Sequence, residues 1–319
     1  MASRPSDPPS APDEAEVRRG TGYGVLAYLV WGALPLYFAV LKPATAWEVL
    51  AHRVVWSLLL CVLVLALARQ ARWVLDMFRD RRLLLTMTAA GALIATNWTV
   101  YTVAVMSGHV TEAALGYFLN PLVTVAIGVL VLRERLRPAQ WVAVGTGLVA
   151  GVYLTVDYGT VPWISLTLAL SFGTYGLLKK RIGSSLSALQ SFTGETVVMT
   201  PLAIALLVWL GVTGQATFVG LGPGHTTLLV GTGIITAVPL LLFAAAATRV
   251  PLVTIGLLQF IAPVLQLLCG VLVLGEVMPP SRWLGFALVW VALTVLSVDS
   301  VLSAGRSRRL ARAAEGAAI

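Results

Sequence analysis

The sequence predicts an all-α membrane protein, ten transmembrane helices built as two inverted five-helix repeats, and three observations predict it. The 319 residues are 58% apolar and 11% charged with a mean hydropathy of +0.88, outside the range of soluble domains. Apolar runs of about 18 residues or more recur ten times, each long enough at about 1.5 Å per residue to cross a hydrocarbon core of about 30 Å. One stretch also occurs twice. Residues 111–157 lie without gaps on 253–299, and 15 of the 40 positions from Phe118/Phe260 to Asp157/Asp299 are identical. Seven of those identities are not generic apolar matches: Phe118/Phe260, Pro121/Pro263, Gly128/Gly270, Glu134/Glu276, Pro138/Pro280, Trp141/Trp283 and Asp157/Asp299. Self-similarity at so long an offset marks duplication of a whole bundle.

Taken in order, residues 1–21 are rich in Pro, Ser and charge and are expected to form a disordered cytoplasmic tail. The first span, 22–41, lacks a small-residue cleavage site and is expected to remain as a helix, ending at Lys42-Pro43. Spans 48–68, 83–106, 111–132 and 139–156 follow, separated by the arginine-rich 69–82, the short 107–110 and the basic 133–138. After the break at 157–160 come spans 160–178, 188–210, 225–248, 251–274 and 282–302. Span 251–274 is set off from its predecessor by only Arg249-Val250-Pro251. The repeats are therefore expected at 22–157 and 160–302, with a basic cytoplasmic tail over 303–319.

Placing the N-terminus in the cytoplasm puts 19 of the 22 Lys and Arg residues on that side, as the positive-inside rule requires. Ten spans return the C-terminus to the same side. The copied segments are spans four and five against nine and ten. Each stands five spans from its twin, and an odd number reverses its direction. Fainter echoes extend the register: Tyr101/Phe243, Ala104/Ala246 and Val54-Val55/Val197-Val198. Inverted repeats in a multi-span chain are the architecture of alternating-access transporters, with the site near the midplane.

The same composition excludes other classes. The net charge of +8 lies in short clusters flanking apolar runs, not in a nucleic-acid-binding stripe. Three histidines and the well-separated Cys61 and Cys269 offer no zinc motif and no disulfide framework, and no phosphate loop follows a strand, so no cofactor or metal is expected.

Candidate pathway residues follow from depth and chemistry. Pro121 and Pro263 fall near the bilayer centre of matching spans, where a proline frees a carbonyl one turn back; they are expected helix breaks, and an ordinary structural kink is the competing reading. Glu48, His52 and Arg53 in span two, Glu112 in span four and Glu195 in span seven are ionisable groups at membrane depth, each of which needs a partner or a wet cavity. Glu48 and His52 share a face, where a proton could pass or an ion pair form. Arg53 could hold an anionic substrate or neutralise Glu112 or Glu195. Glu48 and Glu112 lie within the first turn, where capping or snorkelling explains them equally well. Asn97, Trp98, Tyr101, Tyr117, Asn120, Tyr175 and Gln259 complete the set, with ordinary interhelical hydrogen bonding as the plainer alternative for each.

At these residues the sequence resembles a known family. AYLVWGALPLYF at 27–38, EVLAHRVVWS at 48–57, Asn97-Trp98, EAALGYFLNPLV at 112–123, SFGTYGLLKK at 171–180, TAVPLLLFAAAATR at 236–249 and LLQFIAP at 257–263 are similar, in order, to the RarD proteins of the EamA family. That family lies within the drug/metabolite transporter superfamily. The resemblance implies a ten-helix carrier of two inverted halves in a bacterial inner membrane. One departure within the duplication is Arg133-Glu134 against Gly275-Glu276, which marks those glutamates as loop or helix-end features. The expected function is secondary transport of a small organic solute or drug-like metabolite, with the lipid bilayer as surroundings and protons as a candidate coupling ion through Glu195 or His52. An intramembrane enzyme acting on a lipid-linked substrate would need a nucleophile with a base, and a non-transporting sensor or scaffold would bind without flux.

Overall fold

The computed structural model describes residues 14–70, 72–133, 136–182 and 186–317, and every regular element among them is helical. In order these are α1 (Glu14–Ala39), α2 (Ala46–Leu67), the short α3 (Arg72–Arg79), α4 (Arg81–Met106), α5 (Val110–Leu132), α6 (Pro138–Tyr158), α7 (Trp163–Ile182), α8 (Ala188–Val212), α9 (Pro223–Ala247), α10 (Leu252–Leu258), α11 (Ile261–Leu268) and α12 (Pro280–Ala317). A π-helical turn, Cys269–Val273, ends α11. Local chemistry sets several boundaries. The Thr45 hydroxyl accepts from the Glu48 amide at the start of α2, Asp80 accepts from the Arg82 and Leu83 amides before α4, and Ser187 and Gln190 form a reciprocal capping box on α8. Gly159, at φ 65°, ends α6 in the left-handed conformation that glycine adopts without cost.

Among the described residues nine helical segments are long and apolar enough to cross a membrane, with α10, α11 and the π turn joined as one of them. The stretch expected as the sixth span forms the helix α7, which falls outside that set. Ser165, Thr167, Ser171, Thr174 and Tyr175 dilute its apolar content and Lys179 follows them. Two of its serines bond backbone carbonyls: Ser165 donates to the Glu112 carbonyl of α5 at 2.6 Å and Ser171 to the Thr167 carbonyl one turn back at 2.6 Å. The helix packs between α4 and α5. At the N-terminus, residues 14–21, expected as tail, form the first turns of α1, while 1–13 lie outside the described residues. Glu134, a member of the duplicated set, also lies outside them.

The packing pairs repeat. α5 lies on α7 and α11 on α1; α4 on α7 and α9 on α1; α2 on α9 and α8 on α4. α2 also packs on α8, and α6 on α12. Two equivalent glycines make two of these approaches possible. Gly233 of α9 lies so close to α2 that an added Cβ would come within 2.5 Å of the Trp56 backbone, and a Cβ added to Gly91 of α4 would lie 3.3 Å from the Glu195 carbonyl of α8. α6 and α12 run antiparallel. Arg137, just before α6, meets Asp299 about midway along the long α12 at 2.7 Å, and Asp157 at the end of α6 faces Arg282 in the first turn of α12 at 3.9 Å. Leu67, Leu130, Val156, Leu202, Val212 and Leu272 are 72–83% exposed, a surface suited to lipid.

The two prolines behave differently. α5 continues through Pro121 without interruption, which corrects the expectation of a break there. One missing backbone bond is tolerated in a helix held along its length by α7. In the second copy the chain does divide, at Gln259–Phe260 between α10 and α11, four residues before Pro263, where the proline removes the donor that would have closed the turn.

Candidate functional site

Three polar clusters lie inside the bundle. The first is built on α2. Arg53 is 3% exposed; its Nε donates to the Thr236 hydroxyl of α9 at 3.1 Å and its Nη1 to the Thr102 hydroxyl of α4 at 3.1 Å. Trp98 lies 4.7 Å and Phe38 5.2 Å from the guanidinium, both in cation–π range. Neither Glu112 nor Glu195 neutralises it, contrary to the sequence expectation: the Arg53 side chain is turned toward α4 and α9, and each carboxylate has its own surroundings. Next to it, the rings of Tyr101 and Tyr117 stand 5.6 Å apart, and the Tyr117 hydroxyl donates to Asn97 Oδ1 at 3.1 Å. Asn97 Nδ2 then donates to the Leu168 carbonyl and the Ser171 hydroxyl of α7, both at 3.1 Å. The buried Tyr101 hydroxyl has no partner among the described residues.

The second cluster joins α7 and α8. Glu195 is fully buried and accepts from Lys179 Nζ at 2.7 Å, from the Tyr175 hydroxyl at 3.0 Å and from the Ser191 hydroxyl at 3.3 Å. Lys179 also donates to Ser191 and lies 5.3 Å over the Tyr175 ring. The sequence treated Lys179 only as an inside flanking charge, yet the spacing carried a signal. Tyr175 and Lys179, like Ser191 and Glu195, are i, i+4 pairs and share a helix face.

The third cluster ties loops to helix ends. The Glu48 carboxylate accepts from the Thr217 amide at 2.6 Å, the Thr217 hydroxyl at 2.9 Å and the Phe218 amide at 3.1 Å. His52 makes no hydrogen bond to Glu48: its Nδ1 accepts from Trp56 Nε1 at 3.0 Å and its ring stacks on Phe218 with centroids 4.7 Å apart. Its Nε2 is buried without a partner among the described residues. The Glu276 carboxylate caps α5, accepting from the Val110 and Thr111 amides at 2.5 and 2.8 Å. Beside it two adjoining clefts of about 230 and 250 Å³ share His109 and Glu112; Ala104 and Trp163 line one, Glu276 and Arg282 the other.

Asn120 is buried with Oδ1 unpartnered, and Gln259 is half-buried at the α10–α11 break; neither joins the clusters by a side-chain hydrogen bond among the described residues. The structure thus gathers Arg53, Asn97, Trp98, Tyr101 and Tyr117, groups Tyr175 with Glu195 elsewhere, and leaves His52 and Glu112 on its margins. Thr102, Thr236, Ser171 and Lys179 are the participants that sequence reasoning missed. Three of them are small hydroxyl residues, which look the same in a membrane helix whether they bond their own backbone or a partner.

The sequence pattern of the EamA-like transporter family matches residues 18–156 and again 161–298. The chain is similar to protein RarD of Streptomyces exfoliatus, 50% identical over 301 residues covering 94% of this chain and 95% of the relative. It is 40% identical over 288 residues to an uncharacterized transporter of Pseudomonas aeruginosa, covering 90% of this chain and 95% of the relative. Protein RarD of Escherichia coli is 35% identical over 301 residues, covering 93% and 100%. A solved crystal structure aligns with a TM-score of 0.58 at 18% identity, covering 86% of this chain and 96% of its own, a likeness of fold alone.

Proposed function

The chain belongs to the EamA-like transporter family, in its RarD group, and from that premise we propose that it is a secondary carrier moving a small organic solute or drug-like metabolite by alternating access. The observation that carries this reading is the buried polar cluster bonded across the two matched halves. Arg53 and Asn97 from the first half bond Thr236, Leu168 and Ser171 of the second, at a place where a solute could be gripped from both sides. With α7 as the sixth span, the ten-helix count is complete, and the two halves are inverted repeats. The antiparallel run of α6 beside α12, its sequence twin, supports that inversion, as does the exchange of packing partners between halves. The distribution of Lys and Arg supports a multi-pass protein of the bacterial inner membrane with both termini cytoplasmic.

Glu195 or His52 couples transport to protons in this reading. Glu195 is fully buried, and a proton taken up there would release Lys179. Uptake of a metabolite panel into vesicles, with and without a pH gradient, tests the function, and Glu195→Gln is expected to abolish the gradient dependence. Unaltered gradient dependence rules out that role for Glu195, and absence of flux for every compound rules out the carrier.

A further inference from the structure

Arg53 carries a charge that the protein does not balance locally. Its two hydrogen-bond partners, Thr102 and Thr236, are neutral, and so are the rings of Trp98 and Phe38 that cover it. Among the described residues no carboxylate reaches it: Glu48 is engaged by Thr217 and Phe218, and Glu195 by Lys179. Buried charges in proteins are paired or they face a cavity or ligand, because an isolated one forfeits its hydration. Not all of the guanidinium's donors are used by the protein. Nε and one Nη1 hydrogen are used, and Nη2 donates to no protein acceptor among the described residues, so the guanidinium keeps donors on Nη1 and Nη2 for the two oxygens of a carboxylate. Phe38, whose ring lies 5.2 Å from the guanidinium, packs edge-on against Tyr101 with centroids 6.1 Å apart, and the buried Tyr101 hydroxyl has no partner among the described residues and is a further donor. Ala104, one turn further along α4 from Tyr101, lines one of the two clefts beside Glu276.

We propose that Arg53 receives the carboxylate of the transported solute and that the substrate class is small organic carboxylates, their apolar bodies lying against the rings of Trp98, Phe38, Tyr101 and Tyr117. Trp98 and Phe38 hold the guanidinium plane in place, and the threonine bonds fix its rotation, so its donors are oriented before the solute arrives. Lysine cannot substitute for it, because an ammonium offers a point charge without the paired, planar donors.

This assignment rests on the carrier reading, and the experiment separates the two. Purified full-length protein in detergent is titrated with benzoate, phenylacetate and phenylpyruvate, with their amides, and with benzylamine, following thermal stabilisation; the bound compounds are then tested for counterflow in liposomes. Carboxylates are expected to bind, with their amides weaker by about tenfold or more, the factor that loss of a charge-assisted hydrogen-bond pair implies. Arg53→Lys is expected to weaken carboxylate binding by about tenfold or more as well, with its melting temperature as the control for folding. If Arg53→Lys does not fold, the comparison of acid with amide on the native protein decides alone. Failure of every carboxylate to bind, amides binding as tightly as acids, or a folded Arg53→Lys within about twofold of the native affinity overturns the assignment. Uptake of the amine or an amide without uptake of the acids does so while leaving the carrier intact; binding of the acids with no flux of any compound leaves the anion site and removes the carrier.

Discussion

Lys179→Met and Glu195→Gln remove opposite partners of one ion pair, and the structure predicts unequal costs. Glu195 is fully buried, whereas the Lys179 side chain keeps 30% of its surface exposed. Removing one partner of a buried pair costs about 3–5 kcal/mol when the other is left charged in a dry interior. Lys179→Met does that to Glu195. The bonds from Tyr175 and Ser191 persist and soften the loss, so about 3 kcal/mol, the lower end of the range, is expected. Glu195→Gln keeps an acceptor for Tyr175 and Ser191, and the stranded ammonium can swing its flexible stem toward water, so about 1 kcal/mol is expected. The double variant, with neither charge, should be more stable than Lys179→Met alone, giving a coupling energy above about 1 kcal/mol. Reversible unfolding in mixed micelles by titrating sodium dodecyl sulfate, applied to the four proteins, measures the cycle. A Glu195→Gln cost equal to or above that of Lys179→Met, or a double variant no better than the single, would refute the reasoning.

Two further outcomes are expected. In oriented vesicles, a membrane-impermeant maleimide should label Asp157→Cys and Asp299→Cys from opposite faces, because Asp157 closes α6 and Asp299 lies beside Arg137 at its start; labelling from one face alone ends the inverted-repeat reading. Gly233→Ala should lower stability by about 1–3 kcal/mol, since the new Cβ would lie 2.5 Å from the Trp56 backbone, while Gly151→Ala, with nothing within 4 Å, should be neutral or gain up to about 1 kcal/mol from helix propensity. Equal melting shifts for the two variants would contradict the packing.

Much of the bundle was legible because its signals are local. A run of apolar residues closed by Arg69 or by Lys42-Pro43 reads as a span whatever it packs against, and the offset that links Phe118 to Phe260 needs only the string of letters. Partnership is not local. Arg53 bonds Thr236 across 183 residues and Glu276 caps α5 across 166, distances at which side-chain chemistry gives no hint of contact. Depth alone placed Glu195 well inside α8 but could not supply Lys179, since lysines at a span's end look like flanking charge until the neighbouring helix brings a carboxylate within reach. Pro121 and Pro263 make the same point: identical residues at identical offsets, one inside a continuous helix and one just past a divided one, because packing decides whether a lost backbone bond opens the chain.

The reciprocal ties of α6 and α12 have a mechanical consequence. Two neighbouring rods fastened at two separate levels cannot slide lengthwise past each other without stretching a fastening, and here one fastening joins the start of α6 to the middle of α12 and the other joins the end of α6 to the first turn of α12. The pair behaves as a fixed strut at one edge of the molecule. In the transport cycle proposed above, a rearrangement that exposes Arg53 first to one side and then to the other would fall to the helices that surround it, α2, α4 and α9, moving against that strut.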